Sequence, residues 1–330
     1  MMSIEHSESS LHLLADVGGT NIRFALDDGA GRMGDVTVLA TRDFPSLVAA
    51  VRHYLATQGE AGARVRRGAI GIANPVWGDQ IRMTNHDWSF SIQAMRLELG
   101  WDSFLVLNDF AALAHALPEL TARDLQRIGG VSAVRDAPRV LVGPGTGLGV
   151  ASLVPSPGGP VAVAGEGGHV AFAPETEQEI RLWHFMRSRF PRVSCERVLC
   201  GSGLSYLHAF ISGVRQASAL GADDLLAPEA ITAAALSGSD RACCETVDLF
   251  CGVLGAVAGD LALVLGARGG VFIGGGIVPR LGDRLAQSPF RERFESKGRM
   301  TDYLHDIPVD VIQSPYAALA GLSAASRHSA

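Results

Sequence analysis

Apolar and polar positions in the first third of the chain alternate between two rhythms. Residues 11–17 read as a buried strand, Gly18-Gly19-Thr20 as a tight turn, and 21–26 as the returning strand of a hairpin. Residues 36–40 add a third strand. In 45–57 the apolar positions Leu47, Val48, Val51, Tyr54 and Leu55 have the spacing of an amphipathic helix. A strand over 68–73 ends at Asn74-Pro75, because a residue before proline is held out of helical backbone. A helix over 91–99 closes on Gly100. Residues 104–107 lack polar alternation, which predicts a strand covered on both faces, and Asp109 then caps an alanine-rich helix that Pro118 ends.

A related pattern starts again further along. Strands over 140–142 and 148–153 flank Gly143-Pro144-Gly145-Thr146-Gly147, so Gly145-Thr146 stands between apolar strands as Gly19-Thr20 does. Helices over 175–189, 203–213, 228–236 and 240–265 follow. A strand over 271–273 runs into Gly274-Gly275-Gly276, and the chain finishes with a strand over 309–313 and a helix over 315–325. This order predicts an α/β fold with mixed sheets. The most apolar segment, 249–265, is interrupted by Asp260 and is too short to span a bilayer comfortably, so a buried helix is expected.

Composition works mainly by exclusion. At 330 residues, 47% hydrophobic and 19% charged, the chain has material for two domains or one large one. A net charge of -6 gives no basic field for a nucleic acid or an anionic membrane, which leaves small molecules and proteins as partners. Lys297 is the single lysine among 28 basic residues, and no glycine-lysine pair occurs, so a P-loop is ruled out. The five cysteines, Cys195, Cys200, Cys243, Cys244 and Cys251, form no CxxC pair and read as reduced thiols in a cytoplasmic setting. The acidic and polar first residues carry no basic stretch, so no secretory signal is expected.

Three constellations carry chemistry. Asp16-Val17-Gly18-Gly19-Thr20-Asn21 puts a carboxylate at a strand end before glycines whose backbone N–H groups can approach an anion. Gly143 to Gly149 is a second glycine-rich turn. A triphosphate held between two such hairpins would use backbone dipoles and a divalent cation in place of a lysine, although Gly-Gly turns also occur in ordinary meanders. A dinucleotide fingerprint at Gly143-x-Gly145 is weakened twice, by Leu148 at its third glycine position and by the strand that follows. Finally, Asn108, Asp109, Glu166, His169 and Glu196 offer the donors and acceptors that ring hydroxyls of a sugar require. The plainer alternatives stay open: a capping Asp109, a first-turn charge at Glu196 and a satisfied loop histidine at His169. No cysteine cluster follows His169, which disfavours zinc.

The ordered set Leu14-Ala15-Asp16-Val17-Gly18-Gly19-Thr20-Asn21, Met83-Thr84-Asn85-His86-Asp87-Trp88, Leu107-Asn108-Asp109-Phe110, Gly143-Pro144-Gly145-Thr146-Gly147-Leu148-Gly149, Gly165-Glu166-Gly167-Gly168-His169-Val170, Ser194-Cys195-Glu196-Arg197-Val198-Leu199 and Val271-Phe272-Ile273-Gly274-Gly275-Gly276-Ile277 resembles bacterial-type ATP-dependent glucokinases of the hexokinase, actin and Hsp70 superfamily. The resemblance runs from Leu13 to Gly321. It implies a two-domain actin-like ATPase (ribonuclease H-like) fold, with residues 1–118 plus 308–330 as a small domain and 119–307 as a larger one. Sugar and nucleotide would meet in an interdomain cleft that closes on glucose. It also implies transfer of the γ-phosphoryl of ATP to the 6-hydroxyl of D-glucose, with Mg2+ and a homodimer.

Residue by residue, the resemblance makes Asp109 the base and Asn108, Asp109, Glu166, His169 and Glu196 the sugar contacts. Ala15, Asp16, Val17, Gly18, Gly19 and Thr20 become the first phosphate hairpin, Gly145, Thr146 and Gly147 the second, and Gly274, Gly275 and Gly276 the adenosine segment. Asp16 would organise Mg2+ through water. Pro144 departs from the alanine or glycine common there, 72–75 varies at Asn74, and the cysteine-rich zinc motif of ROK-family sugar kinases and repressors is missing, as is a helix-turn-helix before Leu11. Two other readings stay open: a kinase for mannose, fructose or N-acetylhexosamine, and a non-catalytic glucose sensor.

Overall fold

The computed structural model describes residues 11–83 and 86–328. Thr84 and Asn85 of the Met83–Trp88 motif, and the stretch before Leu11, lie outside the described residues. By contact the chain divides into two compact units. The first runs to Leu120 and takes in Ser156–Ala162 and the C-terminal segment from Pro315; the second comprises Thr121–Pro155 and Val163–Ser314.

The first unit contains strands β1 (His12–Val17), β2 (Asn21–Asp27), β3 (Thr37–Ala40), β4 (Arg67–Ile72), β5 (Gln80–Arg82), β6 (Ser89–Ser91) and β7 (Ser103–Asn108). Five of them form a mixed sheet in the order β3-β2-β1-β4-β7, while β5 and β6 pair separately. β1 is nearly all apolar because both of its faces are covered. Leu13, Ala15 and Val17 join a cluster with Tyr54 and Trp101, whereas Leu14 joins another with Leu319 and Leu322. Both faces of 104–107 are covered as expected, Phe104 and Val106 against one cluster and Leu105 and Leu107 against the other, although β7 is an edge strand. Of these four only Val106 is buried, and the other three are half-buried where they meet the clusters. After β7 the helix Asp109–Ala116 packs against the C-terminal helix Ala317–His328. They approach closely because Gly321 has no side chain; a Cβ there would overlap the Ala112 carbonyl oxygen.

The second sheet is built from β8 (Leu125–Gly129), β9 (Arg139–Pro144), β10 (Leu148–Val154), β11 (Val161–Gly165, in the second unit from Val163), β12 (Val271–Ile273) and β13 (Val309–Ile312), in the order β11-β10-β9-β12-β13-β8. Its first five positions repeat the pattern of the first sheet. An antiparallel hairpin, β9 with β10, is followed by two parallel additions, β12 and β13, as β1 with β2 is followed by β4 and β7. The boundary expected at residue 308 moves: β13 pairs in parallel with β12 from Val309 opposite Val271, so the chain returns to the first unit only at Pro315.

The helix Arg241–Leu265 forms the spine of the second unit, capped by Asp240 and closed by Gly266 at φ 58°. At 25 residues it is long and apolar enough to cross a membrane, contrary to the expectation from segment length. Yet 67% of its most apolar window is buried inside the unit, which identifies it as a core helix. Gly255 and Gly259 let the helix Phe290–Glu295 lie against it, since a Cβ at either position would meet the Phe290 or Phe294 carbonyl.

Candidate active site

At the carboxyl end of β7 the sequence places two adjacent residues that can each cap a helix, and the structure divides the work between them. Asn108, not Asp109, is the N-cap: its Oδ1 accepts from the Phe110 and Ala111 amides at 3.0 and 3.1 Å. That corrects the expectation of a capping Asp109. The Asn108 side-chain amide donates to Asp109 Oδ1 at 3.0 Å and to the Asn74 carbonyl at 3.4 Å. The Phe110 amide also donates to Asp109 Oδ1, at 2.9 Å. With the cap supplied by its neighbour, the Asp109 carboxylate is oriented by two donors and stays only half-buried.

Asp16 lies near the end of β1, opposite Arg23 on β2, and the Arg23 guanidinium meets Asp16 Oδ2 at 3.0 Å. Burial pushes the Asp16 carboxyl up from its ordinary range, against the pull of Arg23. In register with Asp16 on β4 stands Gly71, where a Cβ would lie 3.4 Å from Ala112 Cβ and 3.8 Å from Asp109 Cα. The start of the Asp109 helix thus lies at ordinary contact distance from the strand position paired with Asp16. The turn between β1 and β2 is closed by the Gly18 amide donating to the Asn21 carbonyl at 3.0 Å, and Thr41 Oγ1 donates to the Gly18 carbonyl at 3.1 Å.

In the second unit the corresponding hairpin carries Gly145, Thr146 and Gly147. Glycines in neither hairpin turn have positive φ, so left-handed backbone is not what requires them. Close approach is. A Cβ on Gly147 would stand 2.5 Å from Glu196 Oε2, and that same oxygen accepts the Leu148 amide at 3.0 Å. The Gly274–Gly276 turn lies against this hairpin: the Gly274 and Ile277 amides donate to the Val142 and Pro144 carbonyls at 2.9 and 3.2 Å. Gly275, at φ 80°, packs on the Pro144 carbonyl with no room for a side chain.

The sugar candidates of this unit stand in a row. Glu166 Oε2 is 3.9 Å from His169 Nε2, and His169 Nδ1 is 3.8 Å from Glu196 Oε1. Glu166 and His169 are open to solvent and Glu196 is half-buried. Each unit thus gathers its own share of the expected residues: Asn108 and Asp109 with the Ala15–Thr20 strand end and turn in the first, and Glu166, His169, Glu196 and both remaining glycine segments in the second. Sequence reasoning missed Arg23 and the Leu148 amide. Arg23 could have been found by counting across the hairpin, since pairing Val17 with Ile22 places Asp16 opposite Arg23.

Other features of the described residues do not compete with this set. A cavity of about 330 Å³ lined by His12, Arg67, Ser103 and Ser326 lies at the opposite ends of β1, β4 and β7, and one of about 360 Å³ is lined by Thr176, Glu179, Asp248 and Arg293. His208, Asp240 and Cys243 bring ligand-type atoms within 4.8 Å of one another, but Asp240 Oδ1 is already taken as the helix cap by the Cys243 amide at 2.7 Å. Burial pushes the Cys195 and Cys243 thiols up to about 11 and that of Cys251 to about 12, which keeps them protonated and unreactive.

With this geometry in place, a family model described as glucokinase matches residues 13–329. A glucokinase from Ralstonia nicotianae is 54% identical, over 99% of this chain and 98% of its own length. The chain belongs to the glucokinase family. The crystal structure of a glucokinase from an Antarctic psychrotroph shares 36% identity and superposes with a TM-score of 0.84, covering 96% of this chain and 98% of that one. A ROK-family glucokinase from Streptomyces griseus, solved with glucose and AMPPNP, shares the fold at 22% identity and a TM-score of 0.61, with 95% and 98% covered. As a glucokinase, the chain is a sugar kinase, a phosphotransferase acting on glucose.

Proposed function

We propose that Asp109 is the general base of this reaction, accepting the proton of the glucose 6-hydroxyl as that oxygen attacks the γ-phosphorus of ATP. Asn108, Glu166, His169 and Glu196 hold the ring. Ala15, Asp16, Val17, Gly18, Gly19 and Thr20 form the first phosphate hairpin, Gly145, Thr146 and Gly147 the second, and Gly274, Gly275 and Gly276 the adenosine segment. The observation that carries the reading is the division of labour at the end of β7, where Asn108 caps the helix and turns a half-buried Asp109 carboxylate to a fixed orientation. A base must be positioned before its acidity matters, and this one is. Nucleotide use is supported by the two glycine hairpins and by the glucose and AMPPNP complex of the Streptomyces protein. The twin sheets of matching strand order favour the actin-like ATPase assignment.

The donor set suits Mg2+. Asp16 offers hard oxygen donors, one already steadied by Arg23, on a carboxyl whose burial a nearby cation would relieve. Asp16 would hold the ion through water, and the bound ion would neutralise charge on the phosphate oxygens. Asn108 and the helix amides meanwhile keep Asp109 aimed, and the carboxylate and imidazole row fixes the ring. Homodimerisation and a cytoplasmic location belong to the same reading, the latter in keeping with five free cysteines. Asp109→Ala should lower kcat for ADP formation with glucose by about 10²–10⁴-fold while leaving the unfolding midpoint near wild type. Turnover within a few-fold of wild type would remove Asp109 from the role.

A further inference from the structure

We propose that Glu196 is a latch between sugar and nucleotide: its two carboxylate oxygens serve two subsites, so that glucose engaging Oε1 sets the position of the Gly145–Gly147 hairpin through Oε2. This rests on the kinase reading above and adds to it a coupling between the two substrates.

The two oxygens have separate surroundings. Oε2 accepts the Leu148 amide at 3.0 Å and lies so close to the turn that a Cβ on Gly147 would stand 2.5 Å from it. Oε1 faces His169 Nδ1 at 3.8 Å, and His169 in turn faces Glu166. Exposure falls along this row, from 58% and 59% for the Glu166 and His169 side chains to 29% for Glu196. The open end can therefore meet a hydroxylated ligand while the inner end grips the hairpin.

The surroundings make the row rigid. Gly167 and Gly168 lie directly on β10: a Cβ on Gly167 would be 2.9 Å from Val150, and one on Gly168 would overlap the Leu148 carbonyl. His169 is thus seated on the strand that leaves the hairpin. On the hairpin's other side the Gly201 amide donates to the Gly145 carbonyl at 2.9 Å. Glu196 and Gly201 belong to consecutive helices, Cys195–Val198 and Gly201–Ile211, so one short segment holds the turn at two points. A ligand that draws the Glu196 carboxylate toward His169 must load or release the Leu148 amide. Linkage then makes the effect reciprocal. Were Glu196 only a brace, shortening or displacing its carboxylate would leave the effect of glucose on nucleotide affinity unchanged.

The test is calorimetric titration of the full chain with a non-hydrolysable ATP analogue and Mg2+, with and without saturating glucose. Wild type, Glu196→Asp, which is one methylene too short to span both subsites, and Gly147→Ala, which crowds Oε2 from the hairpin side while leaving the Glu196 side chain chemically intact, are compared. Glucose should tighten analogue binding to wild type by a factor between about 5 and 150, and both variants should bring that factor close to one. A second readout needs no variant: the exchange rate of the Leu148 amide in wild type, without nucleotide, should fall by roughly fivefold on adding glucose, at the lower end of such couplings. A wild-type factor of one, a Gly147→Ala variant that keeps the full factor, or an unchanged Leu148 exchange rate overturns the latch. Failure of the kinase reading looks different, because wild type would then neither bind glucose nor form ADP.

Discussion

Asn108 does with one side chain what the sequence offers two residues to do. Its oxygen ends the helix amides and its nitrogen steadies Asp109, so the two functions can be separated by substitution. Serine caps a helix about as well as asparagine, but it is too short to reach Asp109 and the Asn74 carbonyl. Asn108→Ser should therefore leave the unfolding free energy in urea within about 0.5 kcal/mol of wild type, the spread among good caps, while kcat falls by at least about tenfold through a misaimed base. A parallel fall in both would mean that the residue acts through the helix alone. The sequence could not say which of the two adjacent residues caps, because the choice depends on where β7 stops, and element ends are decided by tertiary contacts that local propensity does not encode. Residue types at the candidate site were legible all the same. Carboxylates, amide and imidazole beside glycines leave few other uses, and the close approaches at Gly147 and Gly168 give those glycines a packing reason.

Elements with a strong period were legible and those at margins were not. The helix Leu47–Thr57 and the hairpin of β1 and β2 fall where the apolar spacing puts them. β8 and β11 escaped notice because outer strands have only partial burial to pattern: Val161 and Val163 of β11 are exposed, and β8 has just Leu125 and Ile128 as aliphatic positions. β7 was legible as a strand with two covered faces, but its place at the sheet edge was not, since an apolar run does not say whether one edge lacks a neighbour. What holds the Asp109 helix was equally invisible, because it lies some two hundred residues away in sequence. Gly321 on the helix Ala317–His328 touches the Ala112 carbonyl directly, so Gly321→Val must push the two helices apart. Overpacking of this kind costs about 1–3 kcal/mol, and here it should also lower kcat/KM, since the displaced helix begins at Asp109. Denaturant titration and ADP release on the same preparation check both. A stable variant with full activity would show that the helix pair yields without moving its N-terminal end.

At the scale of the molecule, one architecture is used twice, and the second copy is reinforced where its core helix carries a charge. Asp260 interrupts the apolar helix Arg241–Leu265 and is met at 2.8 Å by the Nζ of Lys297, the chain's single lysine, whose side chain is only 7% exposed. Lys297 also binds Glu175 at 2.7 Å, and Arg293 bridges Glu175 and Glu179 at 2.9 and 2.7 Å. These contacts tie the segment before the helix Glu177–Arg187 to two others far away in sequence. Removing Lys297 strands two carboxylates that keep a third to a half of their surface, so Lys297→Met should cost about 1–3 kcal/mol at pH 7, less than for a fully buried pair. The pH dependence has a definite sign. Burial alone would raise the Glu175 carboxyl, but hydrogen bonds and charge from Lys297 and Arg293 hold it below its ordinary value of 4.5. A depressed carboxyl contributes stability that is fully present above 4.5 and is lost as the pH falls through the lower, folded value. Without Lys297 the folded value moves back toward 4.5, so acid takes less from the variant than from wild type. Urea unfolding at steps from pH 7 to pH 3 should thus show a stability gap that is widest at neutral pH and narrows below 4.5, with Lys297→Arg restoring part of it. A gap that stays constant through the acid range would assign the effect of Lys297 to packing of its aliphatic stem, because lost methylene contacts do not titrate.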